Sequence, residues 1–279
     1  MLTIRSRNVP LEGDPPSSGT LLSVRGVRKR FQTKRHNMTA LDRVSLDVRE
    51  GEFVCIVGPS GCGKTTLLNI VAGLDAADEG EVLFDGNTVR RPGPERVVVF
   101  QEPALFPWLN IRANVEFGLK LKGVHGKEKH AQAQKFLELV NLKRFERSFV
   151  HELSGGMKQR VQLGRALAVE PRMLLMDEPF AALDAQTRDV LQLELQEIWA
   201  RTGTTILFVT HNVREAAILA DRVFVMTPAP GKLKREIDVT LPRPRSPDNH
   251  AVADLAAEIR KELDHDIYAS PAPEDSYVI

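Results

Sequence analysis

Gly58-Pro59-Ser60-Gly61-Cys62-Gly63-Lys64-Thr65 fills every fixed position of the phosphate-loop pattern G-x-x-x-x-G-K-[ST]. The apolar run EFVCIVG (52–58) precedes it, and Leu67, Leu68, Val71 and Leu74 mark a helix after it. Strand, glycine-rich loop and helix thus follow in the order that phosphate chemistry requires. Glycines let successive backbone N–H groups curl around phosphate oxygens at the positive end of a helix dipole. Lys64 would reach the outer phosphates, and the Thr65 hydroxyl would ligate Mg²⁺. The expected nucleotide-binding set runs from Gly58 through Thr66 (Gly58, Pro59, Ser60, Gly61, Cys62, Gly63, Lys64, Thr65, Thr66). A bare strand-to-helix turn with a solvated lysine would not explain this full match in this context.

A second chemical segment is Met173-Leu174-Leu175-Met176-Asp177-Glu178-Pro179, an apolar strand that ends in two adjacent carboxylates. Parallel α/β sheets place their ligands at the carboxyl ends of strands. Asp177 would hold Mg²⁺, and Glu178 would then be free to polarise a water for attack on a γ-phosphate. The bland alternative, two acids opening a turn before Pro179, weakens once a phosphate loop is present. The third segment is Leu153-Ser154-Gly155-Gly156-Met157. Ser154 reads as an N-cap, and the two glycines expose the first N–H groups of the helix that follows. One nucleotide does not need two anion-binding helix ends in the same chain.

The elements that must position these residues are legible in outline. Strands are expected at 21–31, 44–48, 52–58, 81–86 and 96–100, then again at 173–176, 205–210 and 222–226. Helices are expected at 158–169, 187–200 and 212–219. Strands alternating with helices imply a mostly parallel sheet covered on both faces. From about residue 103 the strand signals vanish, and Phe136, Leu137 and Val140 mark a helical face. The expected organisation is a mobile N-terminal arm (1–20), an α/β domain (21–228) with a helical insertion over about 103–165, and an extension (229–279). That extension reads as a proline-marked connector, a helix opened by Ser246-Pro247, and a tail. Val252, Leu255, Ala256, Ile259 and Leu263 fall on one face of its helix.

Composition narrows the function classes. The 279 residues include 38 Lys+Arg against 37 Asp+Glu, a balance unlike that of a dedicated nucleic-acid binder. No run approaches the roughly 18 apolar residues that a membrane span needs. Two cysteines, Cys55 and Cys62, cannot form a disulfide scaffold and suit a reducing compartment. The basic cluster Arg25, Arg28, Lys29, Arg30, Lys34 and Arg35 reads as a solvated strand face.

Together these segments resemble the ABC ATPases over roughly residues 21–228. The resemblance makes Leu153–Met157 the signature motif and implies an α/β phosphate-loop NTPase core with an antiparallel β subdomain and a helical insertion subdomain. It implies that Gln101, after RVVVF, touches Mg²⁺ and the attacking water, and that His211 is the switch histidine beside the γ-phosphate. It likewise makes Asp184 the D-loop residue facing a second subunit, and Phe31 the aromatic stacked on adenine. Catalytic roles then fall to Glu178, His211 and Gln101, and metal ligation to Thr65, Gln101 and Asp177. Met157 departs from the more frequent glutamine. FQEPALFPWLNIRANVEFGL (100–119), FAALDA (180–185) and APGKLKREIDVTLPRPR (229–245) look like the ATPase subunits of importers for nitrate, aliphatic sulfonates, taurine or bicarbonate. Such a subunit hydrolyses ATP as a head-to-tail dimer, the phosphate loop of one copy facing Ser154, Gly155, Gly156 and Met157 of the other. It sits on transmembrane permease subunits at the cytoplasmic face of the inner membrane, served by an extracytoplasmic solute-binding protein. Pro103, Phe106, Trp108 and Leu109 are the expected permease groove. A non-transport ATPase of the iron–sulfur assembly type, or an exporter or lipid-handling ATPase, stays open at this point.

Overall fold

The computed structural model describes residues 5–7, 19–32 and 37–267. In chain order the elements are β1 (Arg5–Arg7), β2 (Thr20–Gln32), β3 (Asn37–Arg49), β4 (Phe53–Val57), α1 (Lys64–Ala72), β5 (Glu79–Phe84), β6 (Asn87–Thr88) and β7 (Arg96–Val99). Then follow α2 (Ile111–Leu121), α3 (Gly126–Leu139), α4 (Gly155–Ala168), β8 (Met173–Asp177), α5 (Ala185–Thr202), β9 (Thr205–Thr210), α6 (Val213–Leu219), β10 (Arg222–Met226), β11 (Leu233–Asp238) and α7 (His250–Ile267).

The main sheet runs β1-β11-β10-β4-β9-β8-β7. The five strands from β10 to β7 are mutually parallel, while β11 and β1 extend one edge antiparallel. Alternation along each central strand explains why these runs are apolar throughout. Phe53, Cys55 and Val57 of β4 enter one core, with Ile206 and Phe208 of β9 and Leu174 and Met176 of β8. Val54 and Ile56 enter the other, with Leu207, Val209, Met173 and Leu175. A strand buried on both faces has no polar side to show. The second sheet, β3-β2-β5-β6, is antiparallel and packs against α1. The helical insertion is α2, α3 and α4, held by Val115, Leu119, Leu137, Val140 and Val161.

Three expectations change. Arg5–Arg7 is an edge strand paired with Glu236–Asp238, not part of an arm; the rest of residues 1–18 lies outside the described residues. The connector after Pro228 contains β11, a ladder partner of β10. The last helix opens at His250 rather than at Ser246-Pro247. Asn249 Oδ1 accepts from the Ala251 N–H at 2.9 Å, while Ser246 Oγ accepts from Asp248. Its apolar face is as expected, with Val252, Leu255 and Ile259 buried on the core. The tail after residue 267 lies outside the described residues.

The buried Arg245 fastens this extension. Its guanidinium donates to the carbonyls of Ala220 (2.6 Å), Ala217 (3.2 Å) and Leu241 (2.8 Å), capping the end of α6. Burial pushes this guanidinium down to about 10. The basic face of β2 is neutralised: Arg28 pairs with Asp42 and Glu79, Lys29 with Asp75, and Arg30 with Glu79.

Candidate nucleotide site

The site collects at the carboxyl ends of the parallel strands β4, β7, β8 and β9, where such sheets hold ligands. The loop after β4 turns into α1 through Gly63, whose φ is 100°. A Cβ there would lie 2.8 Å from Leu41 Cδ2 and 2.9 Å from the Ala40 carbonyl, so only glycine fits. No side chain caps α1 and no acid occupies its first turn. The N–H groups of Lys64, Thr65 and Thr66 are left for an anion, with the helix dipole behind them.

Lys64 is 5% exposed, and its Nζ donates to the carbonyls of Gly58 and Pro59, both at 2.9 Å. It also lies 3.7 Å from Glu178 Oε1. The Thr65 hydroxyl donates to Asp177 Oδ1 at 3.0 Å. Burial pushes the Asp177 carboxyl upward, as does the Glu178 charge, against the Thr65 hydrogen bond and the Lys64 charge. A half-buried carboxylate beside a hydroxyl suits a hard, oxygen-seeking cation that completes its shell with water and phosphate.

Glu178 sits at φ 44°, a left-handed conformation rare outside glycine. Its N–H donates to the Val209 carbonyl of β9 at 3.0 Å, which fixes the turn. This conformation brings Glu178 Oε2 to 2.7 Å from His211 Nδ1. Below them, Thr210 Oγ1 donates to Glu215 Oε2 at 2.7 Å and accepts from the Asn212 N–H at 3.0 Å. Glu215 is 3% exposed, and burial pushes its carboxyl up.

Lys64, Thr65, Asp177, Glu178 and His211 therefore form one cluster. Gln101 is exposed just after β7, with no side-chain hydrogen bond among the described residues. Phe31 is 38% exposed on β2, with Lys29 Nζ 5.4 Å from its ring centroid. Ser154 and Asp184 each cap a helix, and Gly156, two residues after Ser154, shares the neighbour Thr187 with Asp184. Ser154 Oγ caps α4 by accepting from the Met157 N–H at 3.3 Å, and Asp184 caps α5 by accepting from the Thr187 N–H at 2.9 Å. A Cβ on Gly156 would lie 2.7 Å from Thr187 Cγ2. Arg160 grips Glu194 with two 2.8 Å bonds, joining α4 to α5.

Sequence reasoning missed Glu215 and Asn114. Asn114 is fully buried; its Oδ1 accepts from the Phe106 N–H at 2.9 Å, and its Nδ2 donates to the carbonyls of Phe106, Leu109 and Asn110. It thereby shapes the loop that carries Phe106 and Trp108. An asparagine inside an otherwise apolar helical face was the available signal. On that loop Trp108 is 70% exposed and 5.5 Å from the Phe106 ring, which touches Phe117 at 4.6 Å.

A mostly parallel sheet with an uncapped glycine loop, a lysine and paired carboxylates at its strand ends defines a phosphate-loop ATPase. The ABC transporter family model matches residues 41–181. An uncharacterized ABC transporter ATP-binding protein of Methanocaldococcus jannaschii is 51% identical, over 80% of this chain and 84% of its own. A nitrate import ATP-binding protein of Synechocystis is 47% identical over 79% and 83%. An aliphatic sulfonates import ATP-binding protein of Bacillus cereus is 41% identical over 87% and 96%. A dimeric ATP-binding cassette solved in a post-hydrolysis state with ADP and Pi superposes with a TM-score of 0.70 at 33% identity, over 79% of this chain and 99% of that one. The chain belongs to the ABC transporter family and is an ATP-binding, ATP-hydrolysing member of it.

Proposed function

We propose that the chain energises a membrane importer for a small oxyanion, such as nitrate, an aliphatic sulfonate, taurine or bicarbonate. The observation that carries this reading is the aromatic patch of exposed Trp108 and Phe117 around half-buried Phe106, in a chain similar to nitrate and sulfonate import ATPases. Large aromatics with one apolar face in water mark a docking surface. The partner is a permease subunit pressing a cytoplasmic segment onto this loop, which puts the ATPase on the cytoplasmic face of the inner membrane. An extracytoplasmic binding protein would deliver the solute.

In the proposed mechanism the loop Gly58–Thr66 wraps the phosphates, and Phe31 stacks on the base. Lys64 exchanges its carbonyl partners for outer phosphate oxygens. Thr65, Asp177 and Gln101 would hold Mg²⁺, which neutralises charge building on the phosphates. Glu178 accepts the proton of the attacking water, and His211 orients that carboxylate and contacts the γ-phosphate. Ser154, Gly155, Gly156 and Met157 of a second copy close the far side of the nucleotide, with Asp184 alongside. Hydrolysis removes the bridging phosphate and opens the pair, which moves the permease.

Affinity purification from gently solubilised membranes tests the assignment. A multi-span permease in stoichiometric amount supports it. Recovery of soluble scaffold proteins alone would replace transport with an assembly role while leaving the ATPase intact.

A further inference from the structure

At the opposite, amino-terminal ends of β7 and β8 lies a cleft of about 680 Å³, lined by Phe84, Asp85, Arg90, Arg91, Arg96 and Arg172 among others. Four guanidinium groups line it against two carboxylates, and both carboxylates are engaged. Asp85 pairs with Arg172 at 2.6 Å and Glu95 with Arg96 at 2.6 Å. Arg96 is 7% exposed, and its Nε has no hydrogen-bond partner, although NH2 donates to the Arg91 carbonyl at 2.9 Å. The Nε is covered from solvent, so Arg96 contributes positive charge from within the cleft wall. The Phe84 ring sits beneath Arg96 at 5.0 Å and Arg172 at 5.9 Å, which fixes both planar forks in place. Arg90 and Arg91 stand exposed at the rim, with no acidic partner among the described residues.

We propose that this cleft binds a small organic phosphate, its dianionic head held by the exposed Arg90 and Arg91, with the buried Arg96 adding positive charge behind them. Planar forks match phosphate oxygens in pairs, and the site carries more positive than negative charge. The volume far exceeds an inorganic ion, leaving room for a carbon skeleton along the stiff Pro92–Pro94 turn. The site is separate from the nucleotide cluster, and it stands or falls independently of the transport reading.

Its position adds a consequence for α1. A Cβ on Gly73, just past the end of α1, would lie 2.5 Å from the Arg91 carbonyl. The cleft wall therefore rests on the far end of the helix whose first turn faces the phosphate loop.

The test uses the full chain saturated with MgADP, so that the phosphate loop is filled, and titrates glycerol 2-phosphate as the probe. Calorimetry gives the affinity, and hydrogen exchange locates it. Saturable binding with protection at residues 84–96, weakened at least about tenfold in Arg90→Ala/Arg91→Ala, is expected, because the variant removes the exposed charge-assisted donors. Both arginines are exposed, so the variant should fold and bind ADP normally. Absence of saturable binding, protection confined to 58–66, or equal affinity in the double variant would overturn the proposal.

Discussion

Glu178 and His211 face each other across the ends of β8 and β9, with Oε2 and Nδ1 2.7 Å apart. The contact exists because Glu178 takes a left-handed backbone conformation that its hydrogen bond to Val209 sustains. Replacing Glu178 by Gln keeps shape and neutralises the proposed base. MgATP affinity should stay within a few-fold, and turnover should fall roughly 10²- to 10⁴-fold. Steady-state phosphate release with a separate nucleotide-binding assay checks this; near-normal turnover removes Glu178 from the base role.

Ser154→Arg probes the shared site. Ser154 is exposed at the start of α4, so the longer side chain disturbs no core. Nucleotide binding to the single chain should be unchanged, while hydrolysis should fall close to background. Activity equal to that of the unmodified chain contradicts closure by a second copy.

Trp108→Ala tests docking. The side chain is 70% exposed, so stability should shift by less than about 0.5 kcal/mol. A central aromatic anchor contributes about 2 kcal/mol or more, so permease capture should weaken roughly 30-fold. Intact basal ATPase with lost capture is the expected pattern, and undiminished capture would move the interface elsewhere.

Asp42 offers a pH test. Lys232 and then Arg28 hold its carboxyl below the usual 3.8. An acid whose folded value is lowered contributes stability above 3.8 that disappears as pH falls through the folded value. Asp42→Asn should therefore lower Tm at pH 7 by a few degrees, for about 1 kcal/mol at most. The gap between the two proteins should be constant above about pH 5 and close toward pH 3. A gap that widens on acidification would show that the pair is not responsible.

The central strands and the phosphate loop were legible because burial on both faces leaves only apolar residues between glycine-rich turns. β11, with its sequence LKREID, was not, since only Glu236 and Ile237 are buried and the strand therefore shows no apolar run or clean alternation. Arg5–Arg7 carries no apolar pattern at all; only the ladder to Glu236–Asp238 makes it a strand. Ser246-Pro247 carries a real helix-start signal, yet Asn249 wins because its side chain reaches the helix N–H groups directly. At the site, residue types pointed to Lys64, Asp177 and Glu178, and the resemblance to the ABC ATPases added His211. The bracing by Glu215 is local, five residues from Thr210, but an acid in the first turn of α6 reads from sequence as an ordinary exposed helix residue.

Gly156 and Asp184 lean on the same residue, Thr187, and Arg160 with Glu194 locks the helices behind them. The face proposed to meet a second copy is thus shaped before any encounter. Association then has no loop to order, only an orientation to find, so the rate of pairing should follow collision geometry and ionic strength rather than a slow folding step.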